Sequence, residues 1–322
     1  MDALSDVLKS VRLEGAVFLN AEFTAPWCIR GRYGLASVRE RLPGADHVVF
    51  FHFLVQGRCY VRLAEGGDML DVKAGDVVLF PQDDQHLMGS DLQLAPVDTA
   101  SLMKRDADSS GEFIHLRYGG GGAITRFVCG YLACSRSVCR PFLQSLPNLL
   151  RVAVGDRPSS VRLRELLRMG VLESQEGRRG ANSMLAKLSE LVFIEALRRY
   201  IEDLPASGKG WLAGLRDARI GRALALLHAN PDRAWTVDDL AREVALSRSA
   251  FAERFAALVG ESPMQYLLRW RLALAAHTLR AGRDPISRVA QRSGYESEAA
   301  FSRAFKREFG VAPSAWRNAS TA

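Results

Sequence analysis

Two segments near the C-terminal end repeat at a fixed offset of 50 residues. Ser247, Phe251, Phe255, Gly260 and Pro263 recur as Ser297, Phe301, Phe305, Gly310 and Pro313. Aromatic residues four apart lie on one face of a helix, so each Phe pair anchors a helix to a core. Each Ser stands where a helix N-cap belongs. Each Gly suits a left-handed C-cap, and the Pro that follows cannot continue the helix. A second short helix is predicted upstream of each segment, over 237–245 and 286–294. Each joins its partner through a tight turn, Ala245-Leu246 or Gly294-Tyr295. Small residues there let two short helices cross closely, which is the pattern of a helix-turn-helix. The spacing predicts two such units, at about 236–257 and 285–308. A plain helical bundle would not require the shared Phe, Gly and Pro positions.

Charge falls in the same region. Residues 213–317 hold seventeen Lys and Arg against eleven Asp and Glu, so nearly all of the chain's net +7 lies there. Sixteen of the seventeen are Arg, whose planar fork suits phosphate and guanine edges. A generally basic surface is the plain reading; a nucleic-acid-binding C-terminal domain is the sharper one.

The first half has a different period. Stretches 48–55, 59–63, 69–72 and 77–80 are apolar or alternating and are separated by Gly- and Asp-containing turns. Such short, evenly spaced strands suggest an antiparallel barrel or sandwich. Residues 124–132 read as another strand, and the polar stretch 89–112 as a loop. Beyond Pro141 the spacing turns helical over 161–175 and 182–203. That helix pair reads either as packing on its own domain or as a dimer interface. Residues 204–210 form the clearest linker.

Length and composition bound the rest. A chain of 322 residues with 48% hydrophobic and 25% charged residues is an ordinary globular chain of two or three domains. No apolar run approaches the roughly 18 residues of a membrane span, so no membrane is expected as partner. The first residues carry acids and no apolar core segment, which predicts no secretory signal. Five cysteines make a disulfide-stapled fold improbable, and a reducing cytoplasm is the expected location.

The stretch from Gly294 to Arg317, GYESEAAFSRAFKREFGVAPSAWR, resembles the signature of AraC/XylS-type transcription regulators. The resemblance covers about 215–317 and implies seven helices, with one over 263–280 joining the two units. Upstream, the stretch from Gly75 to His86, GDVVLFPQDDQH, is similar to the second motif of cupin barrels. Cys129-Gly130-Tyr131 and Leu146-Pro147 look like the cupin-type sensor of one AraC-like subfamily. The resemblance implies a multidomain α and β chain: a cupin-like antiparallel β-barrel with a helical segment, then an all-α double helix-turn-helix domain. The expected boundaries are 1–150 for the sensor, 151–203 for a helical dimerisation segment, 204–212 for a linker and 213–318 for the DNA-binding domain. It also implies a non-enzyme acting on double-stranded promoter DNA, as a homodimer. The family more often activates, by contacting RNA polymerase.

Recognition helices present side chains to base edges in the major groove. On the first, Arg248, Ser249, Ala250, Ala252 and Glu253 are expected outward, with Phe251 and Phe255 inward. Glu253 either accepts from cytosine N4 or pairs with a nearby Arg, and Ala250 suits a thymine methyl. On the second, Glu298, Ala299, Ser302, Arg303 and Lys306 are expected outward. Arg303 either forks onto guanine or makes an internal ion pair, while Lys306 suits phosphate.

For the sensor half, His86 falls on the cupin motif's His position and His52 lies in the preceding region. No His-x-His precedes them and Asp83 replaces the usual Gly, so no metal and no cofactor are expected. His52 and His86 read as lining for a small-molecule pocket or as structural residues. Cys129, Cys134 and Cys139 follow at five-residue intervals, with Arg136 and Arg140 nearby in sequence. They read as redox sensors or as small buried hydrophobes. A metal-dependent cupin enzyme fused to a DNA-binding domain is the alternative for the whole chain, and a sequence-neutral DNA-binding protein a third.

Overall fold

The computed structural model describes residues 3–318, apart from 12–13, 33, 40–44, 106–113, 154–160, 177–178, 206–207 and 283. It divides into a sheet unit, drawn from the described residues of 13–134 and 146–203, and a helical unit, drawn from those of 1–12, 135–145 and 204–322.

In the sheet unit the strands are β1 Glu14–Thr24, β2 Cys28–Gly31, β3 His47–Gln56, β4 Arg58–Leu63, β5 Leu70–Lys73 and β6 Asp76–Phe80. They continue as β7 His86–Gly89, β8 Val97–Asp98, β9 Ile114–Gly119, β10 Ile124–Cys134 and β11 Leu150–Ala153. Its helices are α2 Gly34–Arg39, α3 Thr99–Arg105, α5 Val161–Glu176 and α6 Ala181–Asp203. One sheet has the order β11-β6-β3-β10-β1-β9 and the other β5-β4-β7-β2-β8. Most pairings are antiparallel, but β1–β9 and β2–β8 are parallel, so the unit is a pair of mixed sheets, not closed into the antiparallel barrel that the cupin resemblance implies. Part of the expected loop over 89–112 is ordered as β8 and α3, and the rest lies outside the described residues.

A shared core holds the unit together. Phe23 stacks on Trp27 at 4.4 Å, and Phe127 meets both edge-on at 6.0 Å. Such pairs add about 0.5–1.5 kcal/mol beyond their area burial. Helix α6 packs against β1, β10 and β11, which explains why β10 is buried continuously from Phe127 to Cys134 rather than at alternate positions. The close approaches need glycine. A Cβ on Gly15 would lie 2.6 Å from the Ala186 carbonyl of α6. One on Gly130 would lie 2.6 Å from the Ala16 carbonyl and 2.3 Å from the Phe51 ring.

The helical unit contains α1 Ala3–Val11, α4 Arg136–Leu143, α7 Trp211–Arg216, α8 Ala218–Ala229 and α9 Val237–Glu243. It continues with α10 Arg248–Val259, α11 Pro263–Ala281, α12 Ile286–Arg292, α13 Glu298–Phe309 and α14 Pro313–Asn318. The repeat is visible atom by atom. Ser247 Oγ accepts from Ala250 N at 3.3 Å, and Ser297 Oγ from Ala300 N at 3.2 Å. Gly260 and Gly310 close α10 and α13 in the left-handed region, at φ 90° and 79°. The turns match as well: Leu246 N donates to Ala241 O at 2.9 Å and Tyr295 N to Ala290 O at 3.1 Å. Gly294 takes φ 77° freely, whereas Ala245 is held at φ 52°. The Arg219 guanidinium donates to the Ala245 and Val244 carbonyls and secures that turn. Phe251, Phe255, Phe301 and Phe305 are all fully buried.

Two stretches within the expected 1–150 sensor segment pack here instead. Helix α1 lies on α8, and α4 lies on α11, α7 and α1. They bury Val7, Cys139, Phe142 and Leu143, and Ser145 Oγ accepts from Trp211 N at 2.8 Å. Of the expected linker, residues 206–207 lie outside the described residues.

Replacing Gly130 by Ala should force β10 away from β1 and Phe51. We expect a loss of about 1–3 kcal/mol, read as a lower unfolding midpoint in urea. An unchanged midpoint would show that the strands yield without cost.

Candidate nucleic-acid interface and sensor cavity

The two second helices of the repeat, α10 and α13, differ in how their charges are engaged. On α10, Arg248 pairs with Asp238 at 3.4 Å. Arg254 holds Asp217 through Nε at 2.9 Å and Nη2 at 2.5 Å, while Asp217 also caps α8. Ser249, Ala250 and Glu253 are exposed and Ala252 is half-buried. Glu253 makes no ion pair among the described residues, so the expected pairing with a neighbouring Arg is not formed. On α13, Glu298, Ala299, Arg303 and Lys306 are exposed and Ser302 is half-buried. The side chains of Arg303 and Lys306 make no ion pair or hydrogen bond among the described residues. Both helices thus turn their Phe pairs inward and the expected polar positions outward. Only α13 presents unengaged cations.

The second feature lies inside the sheet unit. A cavity of about 50 Å³ is walled by Phe23, Phe50, Met88, Leu116 and Phe127, with His52, His86 and Cys129 on its lining. Strand register explains the meeting: Cys129 pairs with His52 across β10 and β3, and His86 pairs with Gly31 across β7 and β2. A Cβ on Gly31 would lie 2.6 Å from His86 Nε2, so glycine leaves the ring its space. His86 also stacks on Phe80 at 3.7 Å.

One carbonyl sets the proton order of this cluster. His86 Nδ1 lies 3.1 Å from Asp84 O, which can only accept. His86 therefore carries its proton on Nδ1, and its Nε2 accepts from His52 Nε2, 3.2 Å away. His52 Nδ1 is left as an acceptor and takes the Cys129 S–H across 2.9 Å. Burial favours the neutral forms that this chain of bonds requires. It lowers His86 to about 4 and pushes His52 well below its ordinary value, helped by the neighbouring His86. Burial likewise raises the Cys129 thiol. The lone pairs of the three residues point at one another rather than at a common centre. Among the described residues no three His, Cys, Asp or Glu side chains form a metal-ligand group.

The other cysteines do not join this cluster. Cys134 is buried at the end of β10, and Cys139 is buried in α4 within the helical unit. Arg140, expected beside the thiols from its sequence position, extends instead to Glu308. Cys28 and Cys59 are buried too, and burial raises both thiols. The hydrogen-bonded His52–Cys129 pair went unread in the sequence. Its signal is the inward alternation of Phe50, His52 and Leu54 opposite Cys129. No described helix is long and apolar enough to cross a membrane.

Comparison with known proteins agrees with this division. The chain matches the Cupin family over residues 2–202 and a helix-turn-helix domain family over 240–319. An AraC-like transcription regulator named in Streptomyces lividans is 31% identical over 322 residues, covering 100% of this chain and 99% of that one. The HTH-type transcriptional regulator AlkR of Acinetobacter baylyi is 30% identical, covering 99% of this chain and all of its own. The RCS-specific HTH-type transcriptional activator RclR of Escherichia coli is 29% identical, covering 98% and 97%. Family matches over both halves and relatives of matching length establish that the chain belongs to the AraC-like transcription regulators, with a cupin domain ahead of its helix-turn-helix domain.

Proposed function

We propose that this regulator reads promoter DNA by placing α10 and α13 in successive major grooves, under control of a signal detected in the sheet unit. The carrying observation is the pair of unengaged cations, Arg303 and Lys306, on the exposed face of α13. Arg303 forks onto a guanine and Lys306 meets phosphate, with Glu298, Ala299 and Ser302 beside them. On α10, Ser249, Ala250, Ala252 and Glu253 face bases, while Arg248 flanks them in its pair with Asp238. Glu253 accepts from cytosine N4, and Ala250 contacts a thymine methyl. With the cations of α10 held by Asp238 and Asp217, α13 supplies more of the electrostatic grip. The target is two short motifs about 10 base pairs apart.

The domain scheme follows the same reading. Residues 1–150 carry most of the sensor, 151–203 the dimerising helices, 204–212 a linker and 213–318 the DNA-reading helices. Exposed Met169, Leu172, Met184 and Leu191 on α5 and α6 support a homodimer through that pair. The chain acts in the cytoplasm, without catalysis, and activates through RNA polymerase. Its signal is a small molecule or an oxidant detected at His52, His86 and Cys129. Of the thiols Cys129 is assigned this role, because a change at its sulfur breaks the bond to His52. Cys134 and Cys139 serve as buried apolar residues.

The test is to incubate the protein with fragmented genomic DNA, in reductant and in mild oxidant, and to sequence what is retained. A recovered pair of motifs one turn apart is the expected result, and no enrichment in either condition would overturn the reading. The Cys129→Ser variant should abolish any difference between the two conditions.

Two variants separate base reading from charge. Arg303→Ala should relax preference at one position of one motif, costing about 1–3 kcal/mol on the best sequence. Lys306→Ala should weaken all sequences alike and reduce the salt slope by about 1. A uniform loss for both would remove Arg303 from base readout.

The buried histidines also predict a pH response. An unfolded His takes up a proton near 6.5, whereas folded His86 resists until about 4. The stabilisation is therefore complete above 6.5 and is lost as pH falls towards 4, by on the order of 3 kcal/mol. His86→Gln should flatten part of that decline in thermal unfolding. Parallel curves for the two proteins would show that His86 titrates normally.

A further inference from the structure

The helical unit holds a cavity of its own, of about 130 Å³, beneath α4. Trp211 of α7, Tyr266 and Trp270 of α11 and Phe309 of α13 wall its apolar side, and Arg140 and Arg269 line its polar side. An engineered apolar cavity of about 150 Å³ takes benzene, so the space here suits one six-membered ring with a small substituent.

Charge and hydrogen bonding narrow the guest. Arg140 Nη1 lies 2.5 Å from Glu308 Oε1. Arg269 reaches Glu261 at 3.1 Å and Glu308 at 3.7 Å. The two guanidiniums are thus matched by two carboxylates. An ionic guest adds a charge to a set that already balances, and a neutral guest does not. Trp270 is only 2% exposed, and its indole N–H has no acceptor among the described residues. A buried donor left unpaired costs about 1–3 kcal/mol, which a guest bearing an acceptor recovers.

We propose that this cavity is a second small-molecule site, for a neutral single-ring aromatic molecule carrying one hydrogen-bond acceptor, such as an aryl amide or aryl ketone. The site shares no residue with the sensor cavity and stands independently of the signal reading. Its guest touches α4, α7, α11 and α13 at once, so occupancy bears on how the second recognition helix is held.

The experiment titrates the full chain with benzamide, toluene and benzoate by calorimetry. Benzamide should saturate one site. Toluene should bind about fivefold more weakly, having lost one hydrogen bond. Benzoate should also bind more weakly, because it brings an unbalanced negative charge beside Glu261 and Glu308. Trp270→Phe keeps a ring and removes the N–H; it should bring benzamide to the level of toluene and change toluene far less. Ala273→Leu fills the cavity from α11 and should abolish binding of all three probes, with thermal unfolding as the check on its fold. No saturable binding of benzamide, equal affinity for benzamide and toluene, an equal loss of both in Trp270→Phe, or undiminished binding in Ala273→Leu would each overturn the proposal.

Discussion

Helix α11 packs against both repeats of the helical unit, and α10 and α13 depend on that packing. Near its start Tyr266 meets Phe255 edge-on at 5.9 Å, so the first repeat is seated on it. Further along, Leu272, Ala275, Ala276 and Leu279 share a core with Phe301 and Phe305 of the second repeat. Helix α14 closes that core: Trp316 Nε1 donates to Ala276 O at 3.1 Å, and Arg280 lies 4.3 Å above the Trp316 ring. Nineteen helical residues span about 28 Å. One rod thus holds two otherwise similar helix-turn-helix repeats.

The sheet unit relies on a different kind of order. Its core is aromatic and tightly shared, yet it contains two imidazoles and a thiol that would be costly there without partners. They satisfy one another in a single direction, because the chain ends on a carbonyl that cannot donate. The cluster needs no charge, and burial keeps it neutral. Removing the cross-strand pair of Cys129 with His52 would leave an acceptor unmatched in the interior.

The helical unit was far more legible from sequence than the sheet unit, and the reason is physical. Helix-turn-helix structure is written in local terms: a cap, a Phe pair four apart, a left-handed Gly, a Pro. Ser247, Ser297, Gly260 and Gly310 each do in space what their spacing suggested. Strand β3 and strand β10 were legible as apolar runs, although β10 is longer and buried on both sides. Strand β1 was not read, because a bulge between Val17 and Leu19 interrupts its alternation. Strand β7 is too short to show a period, and α4 begins where the sequence still reads as strand and loop. Which cysteines meet which histidines depends on register between distant strands, which no local pattern records. The five-residue spacing of Cys129, Cys134 and Cys139 therefore carried no information about proximity.

Helix α1 completes the surface of α8, roughly 200 residues later in the chain. Synthesis delivers residues at about 5–20 per second, so Ala3 and Val7 wait on the order of ten to forty seconds for their partner. During that interval the sheet unit can form while α4 and α1 remain without most of the apolar surface they will cover. The helical unit is therefore the last part of the protein to acquire its full interior. A nascent chain that stops after the sheet unit carries two amphipathic segments with little but each other to bury them.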